Sequence, residues 1–300
     1  MTGNTGNTGN TGNTGNTGNT GNTGNAGIQG ELGGGWFIED RVDLPFVMEL
    51  DTTSPGNPPL RSLRRTLGQF GNRTWSARWW AYLVLHDFAA TGWRATIDPI
   101  MAASWGAITP GSTATELDNL VNAARDERSQ AMGEILSQDV EFITDFMGLL
   151  AITPGSHPNT YRVLHAASLI GSYAVLYYKG AYNRPRPSQL CPALLPPLPM
   201  PGHASWPSGH ATQAWLMMLC IEHVLQGVTP PLTPGDIGVI TSNLKILAKR
   251  IARNREIAGL HYQSDSTDGQ QLAGNIAPFL TGMTAGHFFD AVGASRVEWQ

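Results

Sequence analysis

Three short stretches of this chain gather cations and histidines that the rest of the sequence largely lacks. The first runs Lys179-Gly-Ala-Tyr-Asn-Arg-Pro-Arg186-Pro187, the second Trp206-Pro207-Ser208-Gly209-His210-Ala211, and the third from Asn254-Arg255 to His261-Tyr-Gln-Ser-Asp265. Lys179, Arg186 and Arg255 suit a tetrahedral oxyanion, because a guanidinium binds two oxygens with a planar fork and an ammonium acts as a point charge. Ser208 follows a proline and precedes an apolar run, which places it at a helix cap. Backbone N–H groups at such a start face a favourable dipole for anions, and Gly209 lets a ligand come close to the backbone. His261 and Asp265 stand four apart, so on one helical turn the carboxylate orients and charge-stabilises the imidazole. An oriented neutral histidine is a competent nucleophile that forms a covalent intermediate. His210 then remains as the general acid for a leaving group.

Such residues need a frame. From residue 75 onward helical periodicity dominates. Residues 75–90 are apolar and aromatic, with a stop near Gly92. Thr113 and Glu116 have capping-box spacing and predict a long helical stretch to about residue 150. Leu117, Leu120, Val121, Ala124, Ala131 and Ile135 fall largely on its one apolar stripe. Pro154 and Pro158 break the chain before a helix over 160–182. A proline-dense loop over 185–207 follows, then helices over 208–225, 236–258 and 264–281, and a shorter one at 286–295. No stretch keeps a strand's alternation for long. The expected fold class is all-α, a bundle of roughly seven or more helices with its site between facing helices.

Residues 2–25 repeat Thr-Gly-Asn eight times without an apolar side chain, so residues 1–25 are expected to be a disordered tail. Residues 26–74 mix Gly33–Gly35, Pro45, Pro55, Pro58 and Pro59 with short apolar pieces and read as an irregular arm. That leaves 75–300 for the helical domain. The chain is 41% hydrophobic and only 14% charged, against roughly 25% in an ordinary domain. Such a chain hides much of its surface, which predicts a homo-oligomer, most simply a dimer. A net charge of −4 argues against nucleic acid as a partner. Cys191 and Cys220 make neither a disulfide framework nor a zinc site. No apolar run is long enough for a membrane span and no leader is visible, so the expected compartment is the cytoplasm.

The order and spacing carry a resemblance. Lys179, six residues, Arg186-Pro187; Pro207-Ser208-Gly209-His210; Arg255, five residues, His261, three residues, Asp265: this is similar to the three-part signature of the type 2 phosphatidic acid phosphatase and vanadium haloperoxidase superfamily. The signature covers a little under a third of the chain, and Asn254 stands where the family usually has serine. The resemblance implies that superfamily's helix-bundle core. It implies that Lys179, Arg186, Ser208, Gly209 and Arg255 hold the oxyanion. By the same carry-over, His261 attacks phosphorus or binds vanadium axially, His210 is the acid–base residue and Asp265 supports His261. The two activities share one cradle because five-coordinate vanadate has the geometry of in-line phosphoryl transfer.

The leading expectation is a phosphoric-ester hydrolase working through a phosphohistidine on His261, acting on small phosphate esters without a cofactor. A vanadate-dependent haloperoxidase, oxidising bromide or iodide with hydrogen peroxide, is the alternative, with vanadate as its cofactor. A third reading is a catalytically inactive binding protein of the same fold. His203 lies seven residues before His210, the offset at which algal bromoperoxidases carry a second histidine; it reads equally as a loop histidine lining the pocket. Arg184 is a decoy beside Arg186, read as a cation behind the site or at the surface. Lys245, Lys249, Arg250 and Arg253 read as a solvated helix face. Lipid substrates are disfavoured without spanning helices.

Overall fold

The computed structural model describes Gly71 and residues 75–300. The expected tail at 1–25 and, apart from Gly71, the arm at 26–74 lie outside the described residues. Within them the chain is all-helical, about 75% helix and without a strand, with ten helices of eight residues or more. These are α1 (Ala77–Ala89), α2 (Trp93–Gly106), α3 (Pro110–Asp126), α4 (Arg128–Val140), α5 (Ile143–Leu150), α6 (Pro158–Tyr182), α7 (Gly209–Gln226), α8 (Pro234–Ile257), α9 (Gln263–Thr281) and α10 (His287–Glu298).

The continuous stretch expected from Thr113 to Leu150 is three helices. Its start lies earlier, because Thr109 accepts the Ser112 N–H and Pro110 fills the first helical position, where a missing N–H costs nothing. A break at Glu127 separates α3 from α4. Glu141 then ends α4, and its carboxylate accepts the Ile143 and Thr144 N–H groups to start α5. Prolines likewise place the first residues of α6 and α8.

Helix α7 is the centre. It packs on α6, α8 and α9, while α1 and α10 cover α6 and both α4 and α5 lie on α8. Surrounded in this way, α7 buries residues all round its axis, Gln213, Trp215, Met217 and Ile221 among them. Several helix starts are closed by carboxylates from far along the chain. Glu298 accepts the Asn159 and Thr160 N–H groups of α6 at 2.8 and 2.9 Å. Glu116 accepts the Ser264 N–H of α9 at 2.6 Å, and Asp87 the His287 N–H of α10 at 2.9 Å. Each satisfies orphan donors and sets a negative charge at the positive end of a helix.

The start of α7 is also where α9 comes nearest. A Cβ at Gly269 would stand 2.8 Å from the Ser208 carbonyl oxygen and 3.1 Å from the Ala211 Cβ. Only glycine allows this approach, so Gly269→Ala must push α9 off the Ser208 turn. The expected cost is about 1–3 kcal/mol, the range for forcing an extra methyl into a packed interior. Urea unfolding will read it as a lower midpoint at an unchanged slope.

Candidate functional site

Lys179 lies in the last turn of α6, which Asn183 ends in the left-handed conformation at φ 51°. The chain then enters Arg184-Pro185-Arg186-Pro187. The Lys179 ammonium donates to the carbonyls of Ala204 and Ser205 at 2.7 and 2.6 Å. Arg186 donates from Nε to the His203 carbonyl at 3.1 Å and from Nη1 to the Leu260 carbonyl at 2.9 Å. Both cations are therefore buried against backbone oxygens, which replace part of their lost hydration. Burial, followed by the charge of Arg186, holds Lys179 well below its usual pKa. Burial pushes Arg186 down to about 10, with Asp265 acting in the opposite direction.

Gly259, at φ 77°, turns the chain between α8 and α9, and the Leu260 N–H closes the turn on the Arg255 carbonyl at 3.0 Å. His261 emerges on the far side. Its Nδ1–H donates to Asp265 Oδ2 at 3.0 Å. The same oxygen accepts the Tyr262 N–H at 3.1 Å and the Ser205 hydroxyl. Arg186 Nη1 stands 3.3 Å from His261 Nε2. With Nδ1 as the donor and a guanidinium N–H facing the other nitrogen, the ring is neutral and its lone pair sits on Nε2. Burial, then Arg186 and Lys179, push the His261 pKa well below the ordinary imidazole value, against the pull of Asp265. Burial disfavours the charge on Asp265 as well, yet its bonds and charge contacts with His261, Arg184 and Ser205 hold the carboxyl well below its usual range.

Arg255, in the last turn of α8, and His210, in the first turn of α7, face the C-terminal end of α4. Arg255 Nη2 donates to the Ile135 carbonyl at 2.7 Å, and Nη1 lies 3.6 Å from Asp139 Oδ1. His210 Nε2 donates to the Gln138 carbonyl at 3.0 Å, and its ring stacks on Phe142 with centroids 4.9 Å apart. Its lone pair is thus on Nδ1. Burial, then the charges of Arg255, His261 and Arg186, depress the His210 pKa, while the Gln138 bond raises it. Those influences come from the first and third stretches and act on a residue of the second, so the fold brings all three within electrostatic reach of one another. Arg255 Nε and Nη1 and His210 Nδ1 are buried and have no hydrogen-bond partner among the described residues. Unpaired buried polar atoms are costly, and two donors beside an imidazole lone pair fit a phosphate or vanadate oxyanion.

Ser208 caps α7 as its position predicts, while its own N–H is taken up within the protein. Its N–H donates to the Asp265 carbonyl at 2.9 Å, and its hydroxyl caps α7 by accepting the Ala211 N–H at 3.4 Å. Gly209 and His210 follow as the first residues of α7, where N–H groups have no acceptor within the helix. His203 is half-buried on the wall of a cavity of about 420 Å³, shared with Arg186, Gln189 and Met200. Its Nδ1 lies 3.0 Å from Arg186 Nη2. Asn254 donates to Glu134 and to Gln138, both at 2.9 Å, and so braces Arg255 from α4.

Of the two places open to Arg184, the structure shows the one behind the site and not the surface. The residue is 3% exposed and donates from Nη1 to Asp265 Oδ1 at 2.6 Å. Lys245, Lys249, Arg250 and Arg253 are exposed on α8, as a solvated face requires; Arg250 pairs with Glu134, and Arg253 with Glu127 and Glu256. Gln138, Asp139 and Phe142 complete the surroundings of His210 and Arg255 without any motif of their own. Among the described residues no three His, Cys, Asp or Glu side chains gather as a metal cage, and no helix is long and apolar enough to cross a membrane. No protein-family model and no curated protein matches the chain.

Lys179 and His210 have depressed pKa values here, and a dianion beside them would raise both, so the proton linkage expected of anion binding is uptake rather than release. Sulfate keeps its charge from about pH 6 to 9, and its affinity is expected to fall as pH rises through that window. Calorimetry in buffers of different ionisation enthalpy measures the uptake directly; proton release, or affinity independent of pH, contradicts this electrostatic account.

Proposed function

We propose that the chain is a phosphoric-ester hydrolase that uses His261 as its nucleophile. One observation carries this reading: a neutral, Asp265-oriented imidazole presents its Nε2 lone pair to Arg186, with buried Lys179 acting on the same ring and buried Arg255 on the nearby His210. The Nε2 lone pair attacks phosphorus and the bond to the ester oxygen breaks. His210, protonated at Nδ1 once the dianion is in place, gives that proton to the departing alkoxide. Lys179, Arg186 and Arg255 offset charge on the non-bridging oxygens, where such catalysis mostly resides. Asp265 holds the Nδ1 proton and stabilises the positive charge that develops on the ring. In the second half, neutral His210 takes a proton from water, the water oxygen attacks phosphorus, and the P–N bond breaks to release phosphate and restore His261.

His203 favours a second reading, a vanadate-dependent haloperoxidase, because it puts another imidazole on the cavity wall beside Arg186. Lys179, Arg186, Gly209 and Arg255 would hold the vanadate oxygens and His261 Nε2 would bind the vanadium. The unpartnered atoms of Arg255 and His210 fit that group as well as phosphate. Bound vanadate supplies the Lewis acidity that activates hydrogen peroxide toward halide. The chain's own residues keep the roles just given.

Purified protein is expected to hydrolyse an aryl phosphate, to be inhibited by vanadate, and to lose about a thousandfold or more in turnover as His261→Ala. Alkaline quenching during turnover should trap a phosphoryl group on His261. Halogenation of a dye with vanadate, bromide and peroxide, in the absence of any hydrolysis, would reverse the order of the two readings. Anion binding without either activity would leave the chain a binding protein.

A further inference from the structure

Arg184 lies behind the nucleophile rather than in the oxyanion cradle. The Asp265 carboxylate is fully buried, and His261, Tyr262 and Ser205 all donate to its Oδ2. Arg184 Nη1 takes the other oxygen at 2.6 Å. The guanidinium is itself fixed from behind: Nη2 donates to Glu116 Oε2 at 3.1 Å, Nη1 donates to the Ser264 hydroxyl at 2.7 Å, and the plane lies 3.7 Å over the Tyr262 ring. Glu116 in turn holds the Ser264 N–H and hydroxyl, so α3 and the first turn of α9 grip Arg184 between them.

A buried carboxylate with only an imidazole for a charge partner draws a proton onto that imidazole, since an isolated buried anion is costly. A protonated His261 would have no lone pair on Nε2. We propose that Arg184 is a positioning residue that keeps His261 neutral and its Nε2 turned toward the oxyanion, by neutralising Asp265 from the side opposite the ring. The inference rests on His261 being the attacking or ligating group, as read above. The other charges near the ring are Arg186 from the proline loop and Lys179 from α6, with His210 from α7 within electrostatic reach; of the α8 groups, Arg255 acts on His210 and Glu256 on Asp265. Glu116 on α3 and Asp268 on α9 lie farther back, on the Arg184 side. Arg186 and Lys179 already oppose an imidazolium. Among the described residues Asp265 is the one anion hydrogen-bonded to the ring, and Arg184 answers it.

The test is nitrogen-15 NMR of histidine-labelled protein, combined with kinetics, on the full chain and on R184Q, R184K and E116Q. In the parent, His261 should stay the Nδ1–H tautomer from about pH 5 to 8. Folded R184Q should titrate about one pH unit higher, a tenfold change in protonation. Its kcat on an aryl phosphate should fall about tenfold near neutral pH, with KM changed less than about threefold and the loss relieved at higher pH. R184K should restore the neutral ring. E116Q leaves Arg184 with Asp265 as its only carboxylate, and His261 should then titrate no higher than in the parent. A merely structural clamp would move R184Q and E116Q alike. The proposal is overturned if His261 titrates in folded R184Q as in the parent, or if E116Q raises its titration; should R184Q fail to fold, E116Q and R184K decide by the same signs. A parent without hydrolysis or halogenation defeats the functional reading alone, because the titrations need no turnover.

Discussion

Four cations, Lys179, Arg184, Arg186 and Arg255, are each at most 3% exposed, and the one fully buried carboxylate among them is Asp265. Placing that much positive charge away from water is among the costliest things a fold can do. The surrounding structure can be understood as a response to it. The carbonyls of His203, Ala204, Ser205 and Leu260 turn inward onto Lys179 and Arg186, and those of α4 onto Arg255. Glu116 and Asp139 approach from the edges. Backbone dipoles and two outlying carboxylates leave a local excess of positive charge, and the partner that best offsets it is an anion.

The bundle delivers these groups through helix ends. Lys179 and Arg255 occupy last turns, where cations sit well against the dipole, and His210 and Asp265 occupy first turns. Four termini, from α6, α7, α8 and α9, therefore meet around one small volume. Helix α7 makes the arrangement possible because it is buried on every side and contacts the other three. The bond from the Ser208 N–H to the Asp265 carbonyl ties the start of α7 to that of α9. The nearness that Gly269 allows serves the same joint. Packing and chemistry are coupled here through a backbone contact rather than through any catalytic side chain.

Much of this was legible in the chain itself. The His261–Asp265 contact is local and its four-residue spacing predicts it, although His261 stands in the bend before α9 rather than on one helical turn with Asp265. Helix starts were legible where proline and a hydroxyl residue stand together, as at Ser208. They were misread where two threonines competed: Thr113 has glutamate three residues on, but Thr109 has the proline and takes the cap. The choice between the two places open to Arg184 could not be made locally, because its partners Glu116 and Asp265 lie 68 and 81 residues away, and no local pattern reveals a pairing over that distance. Gln138, Asp139 and Phe142 went unseen for the same reason. Each is an ordinary helix-end residue until α4 is laid against α8 and α7. Asn254 shows the reverse case, since its departure from the family pattern marks a brace to α4 whose purpose appears only with Glu134 and Gln138 beside it.

The carboxylate that closes the start of α6 belongs to Glu298, made 138 residues after Thr160. At ribosomal speeds of roughly 5–20 residues per second, that interval is on the order of ten seconds. For all that time the nascent chain holds two amide hydrogens of α6 without their final acceptor. The helix that carries Lys179 can be sealed only when the last turn of α10 has left the exit tunnel, so its start waits on a segment made long after the helix itself.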